Sequence, residues 1–422
     1  MTKASIITIG DELLIGQVID TNSAFIAKEL NKAGIPVVRR VAVGDSYEEI
    51  WNALDEESKH AEIILITGGL GPTADDITKP LLCKYFGGKM IINEGARENV
   101  INIFTKLNRP IIERNLAQAE VPDNCIVIQN RRGTAPGMWF EKEYKVFVSM
   151  PGVPNEMKGM MEHDVIKMLC EKFNTTKIIH KTLLTAGIGE SMIAEHIKEF
   201  EENLPAHIKL AYLPNYGMVR LRLTATSNET NVETDVSGKF EELQSLVNEW
   251  MVTNVDESLE NVVGKILLEK GKTMSTAESC TGGYVAHLLT SIPGSSRFYK
   301  GSVVSYSNKM KEELLNVKDS TLEKHGAVSE EVVREMVAGV LNATHTDYAI
   351  AISGIMGPDG GTVEKPVGTV WIAVSNKQII NTQKINLRFD RVRNIQLTAV
   401  HALNLLRTLI LAGNRHVNSL HT

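Results

Sequence analysis

Within TAESCTGG, residues 276 to 283, a serine and a cysteine stand side by side in front of two glycines. Either Ser279 or Cys280 could act as a nucleophile. The octapeptide lies between a strand-like stretch, Lys272 to Thr276, and an apolar-periodic one through Tyr284, Val285, Leu288 and Leu289, so a strand passes here into a helix N-terminus. Unpaired backbone N–H groups and the helix dipole favour developing negative charge at such a place, and Gly282 and Gly283 let a ligand come close to the backbone. Thr281 or Ser279 could equally serve only as a helix cap. A thiolate would call for a histidine partner, and the nearest in sequence, His287 and His325, have no motif around them. Downstream, SVVSYSNKMKEELL carries Tyr306, Lys309 and Lys311 off a strand end. A lysine buried among apolar neighbours loses proton affinity and can take a proton from a serine. SGIMGPDGG, residues 353 to 361, sets four glycines and Asp359 after an apolar strand, and such a loop can turn N–H groups toward an oxyanion or a phosphate. Arg391 and Arg393, at the start of the last helix, suit a phosphate.

A second set of chemistry-bearing loops lies near the N-terminus. TGGLGPTADD packs three glycines, a proline, two threonines and two adjacent acids into ten residues. Glycines let a backbone wrap an anion, and Asp75 with Asp76 could hold a hard cation that bridges to phosphate oxygens. GDE, residues 10 to 12, brings two more carboxylates to another strand end. Acids that meet at one point need a cation between them; otherwise DD is a helix N-terminus and Glu12 a solvated loop residue. Arg114, Asn115 and Gln118 on a polar helix face, and GTAPG at 133 to 137, could complete a nucleotide pocket.

The elements that must position these residues follow from periodicity. From residue 4 to about 172, ASIITIG, PVVRRVAVG, AEIILITGG, CIVIQN and YKVFVSMPG alternate with amphipathic stretches, which predicts a doubly wound, mostly parallel sheet in an α/β domain, residues 1–172. Its functional loops belong at the carboxyl ends of the strands. Residues 173–255 predict a small α+β domain: a strand from Lys177 to Thr185, a helix from near Ser191, a hairpin turned by PNYG, and a helix from Thr230 to Trp250. Residues 256–422 predict a further α/β domain whose last helix buries Val392, Ile395, Ala399, Ala402, Leu406 and Leu409. The 422 residues suit two or three domains, and 43% apolar with 23% charged residues is the balance of a soluble globular chain. No apolar run reaches the roughly 18 residues of a membrane span, and the first residues lack a leader pattern, so a cytoplasmic protein is expected. Cys83, Cys125, Cys170 and Cys280 have no CxxC spacing, which argues against a zinc site or a disulfide framework. A net charge of −6 is not the footprint of a dedicated nucleic-acid binder.

Taken together, GDELLIGQVIDTN, TGGLGPTADDITK, RNLAQA, GTAPG and PGVPNEM resemble the molybdopterin-binding type of domain at the head of the competence/damage-inducible protein CinA family. TAESCTGG, SYSNKMK, GAVSEE, SGIMGPDGGT and KPVGTV resemble that family's C-terminal nicotinamide-nucleotide amidase domain, in family order over essentially the whole chain. For the C-terminal domain the resemblance implies hydrolysis of nicotinamide mononucleotide to nicotinate mononucleotide and ammonia without a cofactor. Ser279 would be the nucleophile, Lys311 and Tyr306 its catalytic partners, and Thr281, Gly282, Gly283, Gly354, Gly357, Asp359, Gly360, Arg391 and Arg393 the substrate-binding residues. For the first domain it implies a metal-dependent ADP-ribose pyrophosphatase that releases AMP and ribose 5-phosphate. There Asp11, Asp75 and Asp76 would hold a divalent cation (Mg, Mn or Co), and Gly68, Gly69, Gly71, Thr73 and Asn115 the nucleotide. The middle domain resembles a KH-like module, but AGIGES stands where a nucleic-acid-gripping GxxG loop would be, so it reads as a spacer or oligomerisation element. The residue before Asp390 and Arg391, usually glycine in the family, is Phe389 here, which leaves the shape of that phosphate contact open. The expected partners are small nucleotides and a second copy of the chain, with neither membrane nor nucleic acid. The alternatives are a pterin-binding or inactive first domain, or an accessory factor in competence and DNA recombination.

Overall fold

The computed structural model describes residues 2–73, 76–173, 175, 178–226 and 232–412. They form two compact units, one comprising Met1–Ile178, the other Ile179–Ala225 with Asn231–Thr422.

The first unit is built on a six-stranded sheet in the order Val37–Val43, Ala4–Ile9, Ile63–Thr67, Lys145–Met150, Gly137–Lys142, Ile126–Ile128. The first four strands are parallel and the last two antiparallel. Ala4–Ile9 and Ile63–Thr67 are buried at every position, which is why they are mostly apolar, with only Ser5, Thr8 and Thr67 polar, rather than alternating. One face packs against Ile26, Leu30, Met157 and Leu169, the other against Ile50, Leu54, Leu81 and Leu82, so helices cover both sides. Gly137–Lys142 was not foreseen as a strand. Its hairpin with Lys145–Met150 turns on Glu143 and Tyr144, both at positive φ (50° and 65°). Glycine or asparagine usually marks such a turn, and neither is present.

In the second unit, a four-stranded sheet in the order Ile208–Asn215, Met218–Thr226, Ile178–Ala186, Met251–Thr253 carries the helices Glu190–His196, Lys198–Glu202 and Val232–Leu246. The PNYG hairpin forms as expected, turning on Tyr216 and Gly217 (φ 44° and 74°). A five-stranded sheet follows, in the order Tyr299–Val304, Met274–Glu278, Tyr348–Gly354, Thr369–Ser375, Ile380–Asn386, with the first three strands parallel and the last two antiparallel. The two sheets share one apolar core: Leu184, Ala186, Met218 and Val252 pack in the same cluster as Val263, Ile352, Leu403 and Leu406. The helix Arg391–Ala412 is long and apolar enough to cross a bilayer, but half of that stretch is buried within the unit, and Arg407 on it donates to Asn404 Oδ1 and the Met251 carbonyl.

Candidate active site

The strand Met274–Glu278 runs between two parallel neighbours, and its carboxyl end delivers the sequence Ser279 to Gly283 to the edge of the sheet. Ser279 N–H donates to the Ile352 carbonyl of the adjacent strand at 3.0 Å, which prolongs the ladder by one residue and fixes the serine backbone. From the strand on the other side the chain continues through Ser305 into the helix Asn308–Leu315, capped by Ser307. Lys311 and Leu315, one turn apart, are the buried residues of that helix. Its packing is close: a Cβ on Gly339 of the helix Glu330–Thr344 would collide with the Leu315 carbonyl.

Lys311 is 1% exposed, and its Nζ lies 3.0 Å from Ser279 Oγ and 2.8 Å from the Ser305 carbonyl. Among the described residues no carboxylate forms an ion pair with it. Burial therefore holds Lys311 below the ordinary lysine pKa, and the Cys280 thiol opposes the shift only weakly. An amine with lowered proton affinity beside a serine hydroxyl is the arrangement a nucleophile and its base require. Lys309, two residues earlier, is exposed and pairs with Glu313 at 3.6 Å. The helix turns about 200° over two residues, so only one of these lysines can face the serine.

The neighbouring thiol takes no comparable position. Burial pushes Cys280 up to about 12, and its Sγ fills space beside the Gly354 backbone, where a Cβ would come within 3.1 Å of it. His287 lies beside Tyr284, ring centroids 6.2 Å apart and tilted, and His325 pairs with Glu331. Cys280→Ala is accordingly expected to leave the activity of the site within severalfold of wild type; a loss as large as that of Ser279→Ala in the same assay would return the nucleophile to sulfur.

Ser279, Cys280, Tyr306, Lys311, Gly354, Gly357, Asp359, Gly360 and Arg391 line one cavity of about 280 Å3, whose wall also includes Val328, Ile355 and Met356. Arg391 spans its mouth, donating to the Gly357 carbonyl at 2.7 Å and to Tyr306 Oη at 2.9 Å. Asn394, fully buried one turn along, was not anticipated. Its amide donates to the Met356 and Phe389 carbonyls and accepts from Phe389 N–H, which ties the glycine loop to the start of the last helix.

Four expected contacts fall elsewhere. Thr281, Gly282 and Gly283 line a separate, mostly apolar cavity with Tyr284, His287 and Val392. Arg393 lies on the far side of its helix from Arg391, again because two residues turn it by about 200°. It sits 4.2 Å over the Phe389 ring and lines a groove of about 680 Å3 with Tyr216, Gly217 and Glu190. Arg393 thus packs on the Phe389 ring and is not among the residues that line the serine cavity.

In the first unit, the loop after Ile63–Thr67 is shaped by close approach. A Cβ on Gly68 would strike the Ile9 carbonyl, and one on Gly69 would strike Thr78 Oγ1. Asp76 Oδ1 accepts from Gly71 N–H at 2.7 Å, and Oδ2 accepts from Thr73 N–H at 2.9 Å and from the Thr73 hydroxyl, so this carboxylate closes the loop. The Asp11 carboxylate accepts from Asp45 N–H at 3.2 Å instead, and Asp11 N–H donates to the Asp45 carboxylate at 3.1 Å. Asn115 caps a short helix by accepting from Ile112 N–H. Asp75 lies outside the described residues, and among the described residues no three His, Cys, Asp or Glu side chains gather to hold a metal ion. Of the expected Asp11, Asp75 and Asp76 set, Asp11 and Asp76 each take part in the loop hydrogen bonds given above. Two groups there were missed by the sequence reading. Lys79 is buried, donates to the Gln118 carbonyl at 2.6 Å and is lowered by desolvation to about 8. The Thr78 hydroxyl is fully buried and has no hydrogen-bond partner among the described residues.

Three family models match the chain: a probable molybdopterin binding domain over residues 5–170, a damage-inducible protein CinA KH domain over 180–251, and a CinA C-terminal domain over 256–410. A CinA-like protein of Cytophaga hutchinsonii is 45% identical over 96% of this chain and 97% of its own length. One from Flavobacterium psychrophilum is 45% identical over 97% and 99%. A putative competence-damage inducible protein of Acetivibrio thermocellus is 38% identical over 97% and 99%.

Proposed function

Since the chain belongs to the CinA family over nearly its whole length, we propose that it is a two-site hydrolase of pyridine-nucleotide salvage. The C-terminal site converts nicotinamide mononucleotide to nicotinate mononucleotide and ammonia. The observation that carries this reading is the contact at 3.0 Å of Ser279 Oγ with the buried Lys311 Nζ, which has no carboxylate partner among the described residues.

Neutral Lys311 takes the Ser279 proton as Oγ attacks the carboxamide carbon. The tetrahedral intermediate collapses with loss of ammonia, which leaves with the proton returned from Lys311, and the acyl group stays on Oγ. Water, deprotonated by the same lysine, attacks the ester, and nicotinate mononucleotide leaves as Oγ regains its proton. Arg391, at the cavity mouth beside Tyr306, faces the substrate's 5′-phosphate. The test is ammonia release from nicotinamide mononucleotide by the purified chain.

The N-terminal site cleaves the diphosphate of ADP-ribose to AMP and ribose 5-phosphate. The support for it is the match of this domain to a probable molybdopterin binding domain, together with the tight glycine turn at Gly68 and Gly69 that Asp76 closes by accepting from Gly71 and Thr73 N–H. The divalent cation implied by the family resemblance would be held by Asp11, Asp75 and Asp76, and no step is routed through it; AMP release with and without added Mg2+, Mn2+ or Co2+ measures that dependence. Asp76→Asn is expected to lower AMP release on the order of 10²-fold, because one amide oxygen cannot serve donors on both sides of the loop. Ammonia release should be nearly unchanged, since the serine site lies in the other unit. Equal loss of both activities would contradict the assignment of two sites.

A further inference from the structure

Glu278, the residue immediately before Ser279, has no part in the chemistry described above, yet its side chain is 0% exposed. Its Oε2 accepts from Thr281 Oγ1 at 2.7 Å and from Gly283 and Val285 N–H at 3.1 Å each. Its Oε1 accepts from Ala286 N–H at 2.8 Å and from Thr276 Oγ1 at 3.3 Å. A buried carboxylate is costly unless its acceptor sites are filled, and here five donors fill them. Three of the donors are N–H groups at the start of the helix Tyr284–Thr290, which would otherwise lack partners. The carboxylate therefore reaches across the Ser279–Gly283 turn and ties its far end back to the strand that begins it. Gly282 and Gly283, at φ 61° and 94°, take the left-handed conformations this fold-back needs.

We propose that Glu278 is a positioning residue of the serine site: its buried carboxylate holds the Ser279–Gly283 turn in the conformation that sets Ser279 Oγ against Lys311 Nζ. The inference rests on the reading of Ser279 and Lys311 as nucleophile and base. Ser279 is held from three directions, by its own N–H on Ile352, by Lys311, and through the turn by Glu278. The first two act on the serine itself, whereas Glu278 constrains the residues that follow it, alongside the Gly282 N–H bond to the Ser279 carbonyl and the Tyr284 N–H bond to the Thr281 carbonyl. Loss of the carboxylate would release the turn while leaving the walls of the substrate cavity in place, since Glu278 is not among the residues that line it.

The test compares Glu278→Gln, Thr281→Val and Thr281→Ser with wild type. The readouts are kcat and KM for ammonia release from nicotinamide mononucleotide, its pH profile, and the labelling rate of Ser279 by a fluorophosphonate, located by peptide mass spectrometry. Circular dichroism checks folding. Glu278→Gln keeps the shape but turns an NH2 group against N–H donors, so kcat should fall on the order of 10²-fold with KM nearly constant, and labelling should slow in parallel. The limb of the pH profile set by Lys311 should stay where it is. Thr281→Val removes one of the five donors and should lose on the order of tenfold in kcat, with Thr281→Ser restoring most of it. Folded Glu278→Gln with kcat within twofold of wild type, or with its loss confined to KM, overturns the proposal. Should Glu278→Gln not fold, an unaltered kcat in Thr281→Val overturns it instead. A wild-type chain that neither releases ammonia nor is labelled at Ser279 would refute the underlying reading of the site, which is a distinct result.

Discussion

Replacing Lys311 by arginine is expected to lower kcat/KM for amide hydrolysis on the order of 10²-fold or more, the usual worth of a positioned general base. Arginine keeps the positive charge and much of the length, but it does not deprotonate at any working pH, so it cannot take the serine proton. The same residue predicts the pH dependence. Burial lowers the Lys311 pKa in the folded enzyme, and only the deprotonated amine is active. The active fraction therefore grows as pH rises through that lowered value and saturates above it. kcat/KM should climb with a single ionisation and level off below the range where a solvated lysine titrates, and this limb should vanish in Lys311→Arg. An arginine variant with nearly full activity would dismiss the lysine as base.

Ser279→Ala is expected to cost on the order of 10³-fold or more in kcat, because it removes the attacking atom and with it the covalent route. Substrate binding should survive, since Arg391 and the Gly354–Gly360 loop are untouched and Ser279 is one small side chain among the residues that line the cavity. Substrate affinity of the variant, measured by calorimetry, should stay within severalfold of the wild-type KM. Activity retained by Ser279→Ala would exclude the serine; affinity lost together with activity would make it a binding residue.

The serine loop was legible because its chemistry is local. A strand end, two glycines and a helix start lie within one octapeptide, and the structure confirms that sequence of elements. The choice between Lys309 and Lys311 was also present in the sequence, as helical spacing: Lys309 has Glu313 four residues on and faces water, while Lys311 has Leu315 and faces the core. Glu278 was not legible. A glutamate at the end of a strand ordinarily points to solvent, and only the fold-back of the next eight residues surrounds this one with donors. Arg393 failed for the opposite reason. Its nearness to Arg391 in sequence suggested a shared ligand, whereas helical rotation separates the two and Arg393 packs on the Phe389 ring. In the first domain the sheet was readable from its apolar runs, but the partners of its acids were not. Asp76 is occupied by loop N–H groups and Asp11 by Asp45, contacts that spacing alone does not reveal.

The most direct test of the central claim is to supply the full-length chain with nicotinamide mononucleotide and to quantify ammonia and nicotinate mononucleotide together. The account predicts equimolar release of the two, catalytic in enzyme and without added metal or cofactor. A folded chain that binds nicotinamide mononucleotide yet releases neither product, under conditions where fluorophosphonate labels Ser279, would contradict it.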